Sequence, residues 1–266
     1  MDLSAFRLSC QLTRRFFVSS FITVLLLTLI SPPIAAEAAN ENSLEVWVFS
    51  LYPPAVMNNK LKPYMDYLKR QTGFSLHVQS SSLSSKIIHN CETGKPHIIF
   101  ASGVIGAQVV EKCHYRTIAI THQPLLLYVK KNSSINNLEE VQRIGGIKNS
   151  DMATALYEEL RLFDDEIIIV YYSNLMTLMK GQIRDNLNAI ILGKAIMKAS
   201  PMLDNQYRSI LTFKGHGKGM ITVSPLVSDA VRTKLANLLL TNGRLAEKTW
   251  QQGIGAGPFL PPNNSP

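Results

Sequence analysis

From Leu44 onward, short apolar runs alternate with stretches whose apolar residues recur at helical spacing, the pattern of repeated βα units in an α/β fold. Residues 44–50 (LEVWVFS) predict a strand that ends in Leu51-Tyr52-Pro53-Pro54. Leu61, Tyr64, Met65 and Leu68 share one face of a helix over 60–72, closed by Gly73 as a left-handed cap. A strand over 74–79 alternates, and Ser80-Ser81-Ser82 opens a helix to about Cys91. The run 97–101 (HIIFA) predicts a third strand, and Ser102-Gly103 starts a helix to about Lys112. Strands over 115–120 and 125–130 flank Thr121-His122-Gln123-Pro124. A short helix from Asn136 and a strand over 144–147 lead through Asn149-Ser150-Asp151 to a helix over 152–162. Next come a strand over 167–172, Ser173-Asn174 and a helix over 175–183, then a strand over 188–192 and a helix from Lys194. Strands over 210–214 and 220–224 bracket Gly215-His216-Gly217-Lys218-Gly219. Helices over 227–240 and 244–251 follow, and a tail from Gly253, rich in Gly, Pro and Asn, reads as a flexible segment that lies loose or drapes over the surface.

At roughly 150 residues per domain, 266 residues make one large domain or two small ones. No stretch reads as a linker between independent units. The expectation is two lobes that share their connections and enclose a ligand cleft. Residues 39–127 form the first part of lobe 1, 128–215 form lobe 2, 216–252 return to lobe 1, and 253–266 are the tail. A hydrophobic share of 46% supports a full core and excludes wholesale disorder, and the lack of heptads or repeats excludes fibres and solenoids.

The net charge of +8 permits an anionic partner without demanding one. The basic residues are scattered, with no aromatic residues interleaved on one face, which argues against nucleic acid. No G-x-S-x-G, H-E-x-x-H or Gly-rich dinucleotide loop is present, so the chain reads as a non-enzyme without a cofactor. Asp164-Asp165-Glu166 reads as a solvated turn before a strand, and the glycine-rich 215–219 segment lacks Walker spacing and a following helix.

The first 38 residues carry an address. Arg7, Arg14 and Arg15 precede an apolar run over 16–30, then Ser31-Pro32-Pro33 and the small-residue stretch ending Ala35-Ala36-Glu37-Ala38-Ala39. That is the build of a secretory signal peptide, cleaved near Ala38, and it implies a periplasmic protein. The run falls short of the ~20 residues that span a bilayer, although an uncleaved anchor is the alternative. Arg14-Arg15-Phe16-Phe17 also resembles a twin-arginine signal.

After cleavage two cysteines remain, Cys91 and Cys113, beside His89 and His114. In an oxidising compartment the first reading is a disulfide. Free buried thiols and a thiol site for copper(I) or arsenite are the alternatives, although the spacing matches no metal-ligand motif. His122 and His216 stand alone in loops.

Several stretches together resemble the periplasmic solute-binding proteins of the phosphate, phosphite and phosphonate uptake family. They are the first strand with Tyr52-Pro53-Pro54, the helix Leu61-Lys62-Pro63-Tyr64-Met65-Asp66-Tyr67-Leu68 with Thr72-Gly73, the turn Gly94-Lys95-Pro96-His97, and Tyr128-Val129-Lys130-Lys131 leading to Leu138-Glu139-Glu140-Val141. The resemblance covers most of 44–240. It implies a type II two-lobe fold, a monomer that closes on a small anion, and delivery to an ABC transporter permease. A ligand sensor docked on a histidine kinase in the inner membrane is the alternative job.

A helix start offers unpaired N–H groups and partial positive charge, enough to hold an oxyanion without a cation. Loops at the carboxyl ends of strands are where such starts gather. The expected ligand contacts are therefore Tyr52, Ser81, Ser82, Ser102, Ser150, Thr154 and Ser173, each hydroxyl being equally able to serve as a plain helix cap. Three departures from the family pattern stand out: Asp151 where hydroxyls are usual, and His97 and Asn188 where Asp is usual. Asp151 reads as a cap of its own helix. Facing the cleft instead, it would repel a dianion and favour a protonated or neutral ligand.

Overall fold

The structure is a computed structural model that describes residues 43–160, 167–241 and 258–262. The expected signal peptide, the helix over 244–251 and most of the expected tail lie outside the described residues. In chain order the elements are β1 (Ser43–Phe49), α1 (Pro54–Thr72), β2 (Ser75–Ser81), α2 (Ser84–Glu92), β3 (Ile98–Ser102), α3 (Gly103–Cys113), β4 (Arg116–His122) and β5 (Leu125–Lys130). A 3-10 turn (Leu138–Glu140) then leads to β6 (Arg143–Ile147), α4 (Asp151–Leu160), β7 (Ile168–Tyr172), α5 (Leu175–Arg184) and β8 (Ala189–Gly193). The chain continues with α6 (Lys194–Lys198), α7 (Pro201–Gln206), β9 (Tyr207–Phe213), β10 (Lys218–Val223), α8 (Asp229–Thr241) and β11 (Phe259–Leu260).

These strands make two sheets. The first has the order β11-β4-β10-β3-β1-β2, with β1 parallel to β2 and β3, and β10 antiparallel between β3 and β4. The second has the order β7-β6-β8-β5-β9, with β6 parallel to β7 and β8, and β5 antiparallel to β8 and β9. Alternation along β1 shows why helices cover both faces of the first sheet. Val46 and Val48 enter the core under α1 and α8, while Trp47 enters the opposite core with Ile87, Ile105 and Val109 of α2 and α3. The second sheet has its own core, built around Leu127, Ile144, Leu156 and Ile191.

The chain crosses between the sheets twice, at Gln123-Pro124 and at residues 214–217. β5 pairs only within the second sheet, so the first crossing precedes β5 instead of cutting it after residue 127. The two crossings are tied together, since the Gln123 amide donates to the Gly217 carbonyl at 2.7 Å. Gly215 and Gly217 both have φ near +80° (78° and 80°), which explains two glycines in one short connection.

Four elements depart from the pattern reading. α1 starts at Pro54, a turn and a half earlier than expected, because a proline in the first turn forfeits only an N–H that lacks a helical partner anyway. β2 runs on through Ser80 and Ser81, paired with Val48 and Phe49, so the serine run ends a strand instead of opening a helix. β9 begins at Tyr207, where polar residues hid the strand. The Arg208 guanidinium donates to the Ser133 carbonyl at 3.1 Å and to Asn136 at 3.0 Å. Within the tail, Phe259 and Leu260 pair with Thr121 and Ile120 as an edge strand, and the Phe259 ring stacks on Tyr64.

Candidate functional site

The first turn of α3 is the centre of the site. Ser102 precedes it in extended conformation, and its hydroxyl makes no capping bond. The first-turn donors are taken instead by the Asp151 carboxylate, which arrives from the first turn of α4 in the other lobe. Val104 N–H donates to Asp151 Oδ1 at 3.0 Å and Gly103 N–H to Oδ2 at 3.3 Å. Two successive amides thus hold the two oxygens of one carboxylate, the geometry by which a helix start holds an anion. Burial pushes the Asp151 pKa up, opposed by the bonds from Val104 and Gly103, by the Ser102 hydroxyl and by the charge of His216. Ser102 Oγ is buried beside the carboxylate, near enough to act on it but without a well-aligned hydrogen bond.

A cavity of about 130 Å³ adjoins this contact. Its walls are mostly apolar, with Val48, Leu51 and Met57 from the start of the first lobe, Met152 and Ile196 from the second, and Met220 from the return strand. The polar lining comes from Ser50, Ser102, Thr121, Gln123, Ser150, Asp151 and Lys218. Gln123 sits at the first crossing, and its Nε2 is buried with no partner among the described residues. A buried donor left unpaired in this way costs free energy until something accepts from it. Tyr52 packs against the cores of both lobes, and burial raises its pKa. The Lys60 ammonium lies 5.2 Å from the centre of its ring.

Of the expected contacts, Tyr52, Ser102 and Ser150 line this cavity and the other four do not. Ser81 donates to the Leu83 carbonyl at 3.4 Å and accepts from its amide at 3.1 Å, closing the turn before α2. Ser82 lies in that same turn. Thr154 is one turn into α4, its amide bonded to the Ser150 carbonyl at 3.3 Å. Ser173 bonds to Thr177 and Asn174 at the start of α5. Ser150 is 3% exposed, and its hydroxyl is spent on the Ile147 carbonyl at 2.6 Å. It ties the turn before α4 to the last residue of β6 and presents the residue after it. That residue, Asp151, was expected to cap its own helix and instead reaches across to α3. Gln123, Thr121 and Lys218 were missed. Only Gln123 carried a signal, a polar residue between two apolar strands at a lobe crossing.

The other departures have local jobs. His97 Nδ1 accepts from the Glu45 amide at 2.9 Å, and burial lowers its pKa. Asn188 Oδ1 accepts from the Arg143 amide at 3.0 Å. Cys91 and Cys113 form a disulfide, with Cα atoms 5.9 Å apart, which takes both sulfurs away from any thiolate site. Cys113 is the last residue of α3, so the helix that receives Asp151 at its start is stapled to α2 at its end.

Two α/β lobes joined by paired crossings, with a cavity lined from both, define the type II periplasmic binding protein fold. Solved structures of that fold match most of the chain. The binding protein component of an ABC phosphonate transporter from Pseudomonas aeruginosa aligns over 82% of this chain and 81% of its own, with TM-score 0.67 and 15% identity. PhnD1 from Prochlorococcus marinus, in complex with methylphosphonate, aligns over 85% and 94%, with TM-score 0.69 and 12% identity. The periplasmic VFT2 domain of BvgS from Bordetella pertussis aligns over 80% and 93%, with TM-score 0.55 and 10% identity. No protein-family model matches the chain, and no curated protein matches it in sequence. No helix among the described residues is long and apolar enough to cross a membrane.

Proposed function

We propose that this chain is a periplasmic solute-binding protein that captures a small oxyanion of the phosphonate, phosphite or phosphate type and delivers it to an ABC transporter permease. It binds and releases the solute without converting it. The observation that carries the reading is the pair of amides at the start of α3, which already hold two oxygens of an anionic group beside a cavity lined from both lobes. The unpaired Gln123 Nε2 offers a further donor to a ligand oxygen. The apolar walls suit an alkyl substituent next to the charged head, which favours a phosphonate over bare phosphate. The likeness to two phosphonate-binding structures accords with this. A sensor for a two-component kinase is the second reading, favoured by the likeness to the BvgS domain.

The test is thermal unfolding against millimolar phosphate, phosphite, methylphosphonate and sulfate, with arginine as a cationic control. A true ligand at about 100 times its Kd stabilises by roughly 2.7 kcal/mol, a shift of several degrees. A shift with methylphosphonate or phosphite and none with arginine is expected. A shift with arginine alone would overturn the oxyanion reading. Pull-down of a permease or of a histidine kinase from membranes separates transport from sensing.

A further inference from the structure

We propose that Asp151 is a resident stand-in for the solute, a carboxylate of the second lobe that occupies the anion position of the first and holds the two lobes together while no solute is bound. This inference rests on the reading of the α3 start as the oxyanion site. Three observations carry it. The carboxylate crosses between lobes, 47 and 48 residues from the amides that hold it. It does not serve its own helix, where the Ser150 carbonyl already accepts from Ala153 and Thr154. It also lies on the cavity wall, so a solute that uses the same two amides must displace it.

Gly103 is closely packed at this contact: a Cβ there would lie 3.3 Å from the Lys218 Cβ and carbonyl and 3.6 Å from Asp151 Oδ1, so only a bare backbone lets the carboxylate reach both amides. His216, in the second crossing, lies 3.6 Å from Glu158, which stands two turns beyond Asp151 on the same face of α4. The arrangement makes solute binding an exchange at the two amides, the solute's oxygens for those of the carboxylate. It also taxes affinity. If the latch is made about 90% of the time, apparent affinity falls about tenfold.

The experiment measures the distance between nitroxide labels at Lys69→Cys in α1 and Lys180→Cys in α5, both exposed, in the full chain carrying Cys10→Ser. Without anion, the chain that keeps Asp151 should give a single short distance. Asp151→Ala should move the distribution to longer, broader values, and Asp151→Asn, which keeps one acceptor oxygen, should move it less in the same direction. Unchanged distances in both variants overturn the latch. Calorimetry with methylphosphonate runs alongside, and Asp151→Ala should bind about tenfold tighter. Weaker binding in Asp151→Ala would overturn the stand-in role, because the carboxylate would then be a contact of the solute itself. Lengthened distances with no anion binding in any form would sustain the latch and remove the oxyanion reading.

Discussion

The start of α5 and the start of α3 each have a serine within two residues of the helix, yet they are built to opposite ends. At α5 the Asn174 side chain accepts from the Thr177 amide at 2.9 Å, and Thr177 Oγ1 accepts from the Asn174 amide at 3.2 Å, a reciprocal cap. Ser173 joins the same cluster, so its hydroxyl is spent within the helix start. At α3 the serine hydroxyl caps nothing, and the amides of Gly103 and Val104 wait for a group from elsewhere in the chain. A hydroxyl at a helix start therefore says little about binding. What matters is whether the first-turn amides are already satisfied by their own neighbours.

The contrast can be broken at the staple. Cys113 ends α3 and is bonded to Cys91 across a separation of 22 residues, whereas α5 has no such tie. Closing a loop of that length is worth roughly 3 kcal/mol. The double change Cys91→Ser and Cys113→Ser should lower the urea midpoint accordingly and weaken methylphosphonate binding, because α3 loses its anchor. An unchanged midpoint would sink the claim that the staple fixes α3.

A smaller effect sharpens the comparison from the other side. Asn174→Ala should cost about 1 kcal/mol of stability through the lost cap and leave anion affinity as it was. A change in affinity would show that α5 shares the site after all.

The smallest effect is in the pH dependence, where two aspartates run in opposite directions. The Arg184 hydrogen bond, helped by Tyr172, holds the Asp185 carboxyl well below the usual carboxylate range. Its contribution to stability is complete above the unfolded pKa of about 4 and is lost as pH falls through the lower folded value. Asp151, raised by burial, does the reverse: its contribution is full below that unfolded pKa and is lost as pH rises through the folded value. Asp185→Asn should flatten the acid limb of urea midpoints against pH. Asp151→Asn should remove part of the decline on the way from about pH 4 to neutrality. The same curve for both variants would contradict the opposed shifts.

The fold was legible because the apolar period alone decides it: β1, β3, β6 and β8 are nearly continuous apolar runs, as buried strands must be. Elements whose ends carry polar residues were misplaced, as with β9 behind Arg208 and the serines of β2. The site was legible only in part. Tyr52, Ser102 and Ser150 follow strands, and position alone marked them. Asp151 meeting Gly103, and Gln123 meeting the cavity, depend on how two lobes come together, which no local period encodes.

The place of β10 sets the order in which the molecule can be finished as the chain emerges. The second sheet is drawn entirely from Leu125–Lys130 through Tyr207–Phe213, one unbroken stretch of chain. The first sheet needs β10 between β3 and β4, and β11 beyond β4, both made last. While the chain is still emerging, N-terminus first, the later lobe can be complete and the earlier one still lack its middle strand. Through that interval the facing edges of β3 and β4 stand open to mispairing, so the half made first is the half that most needs protection.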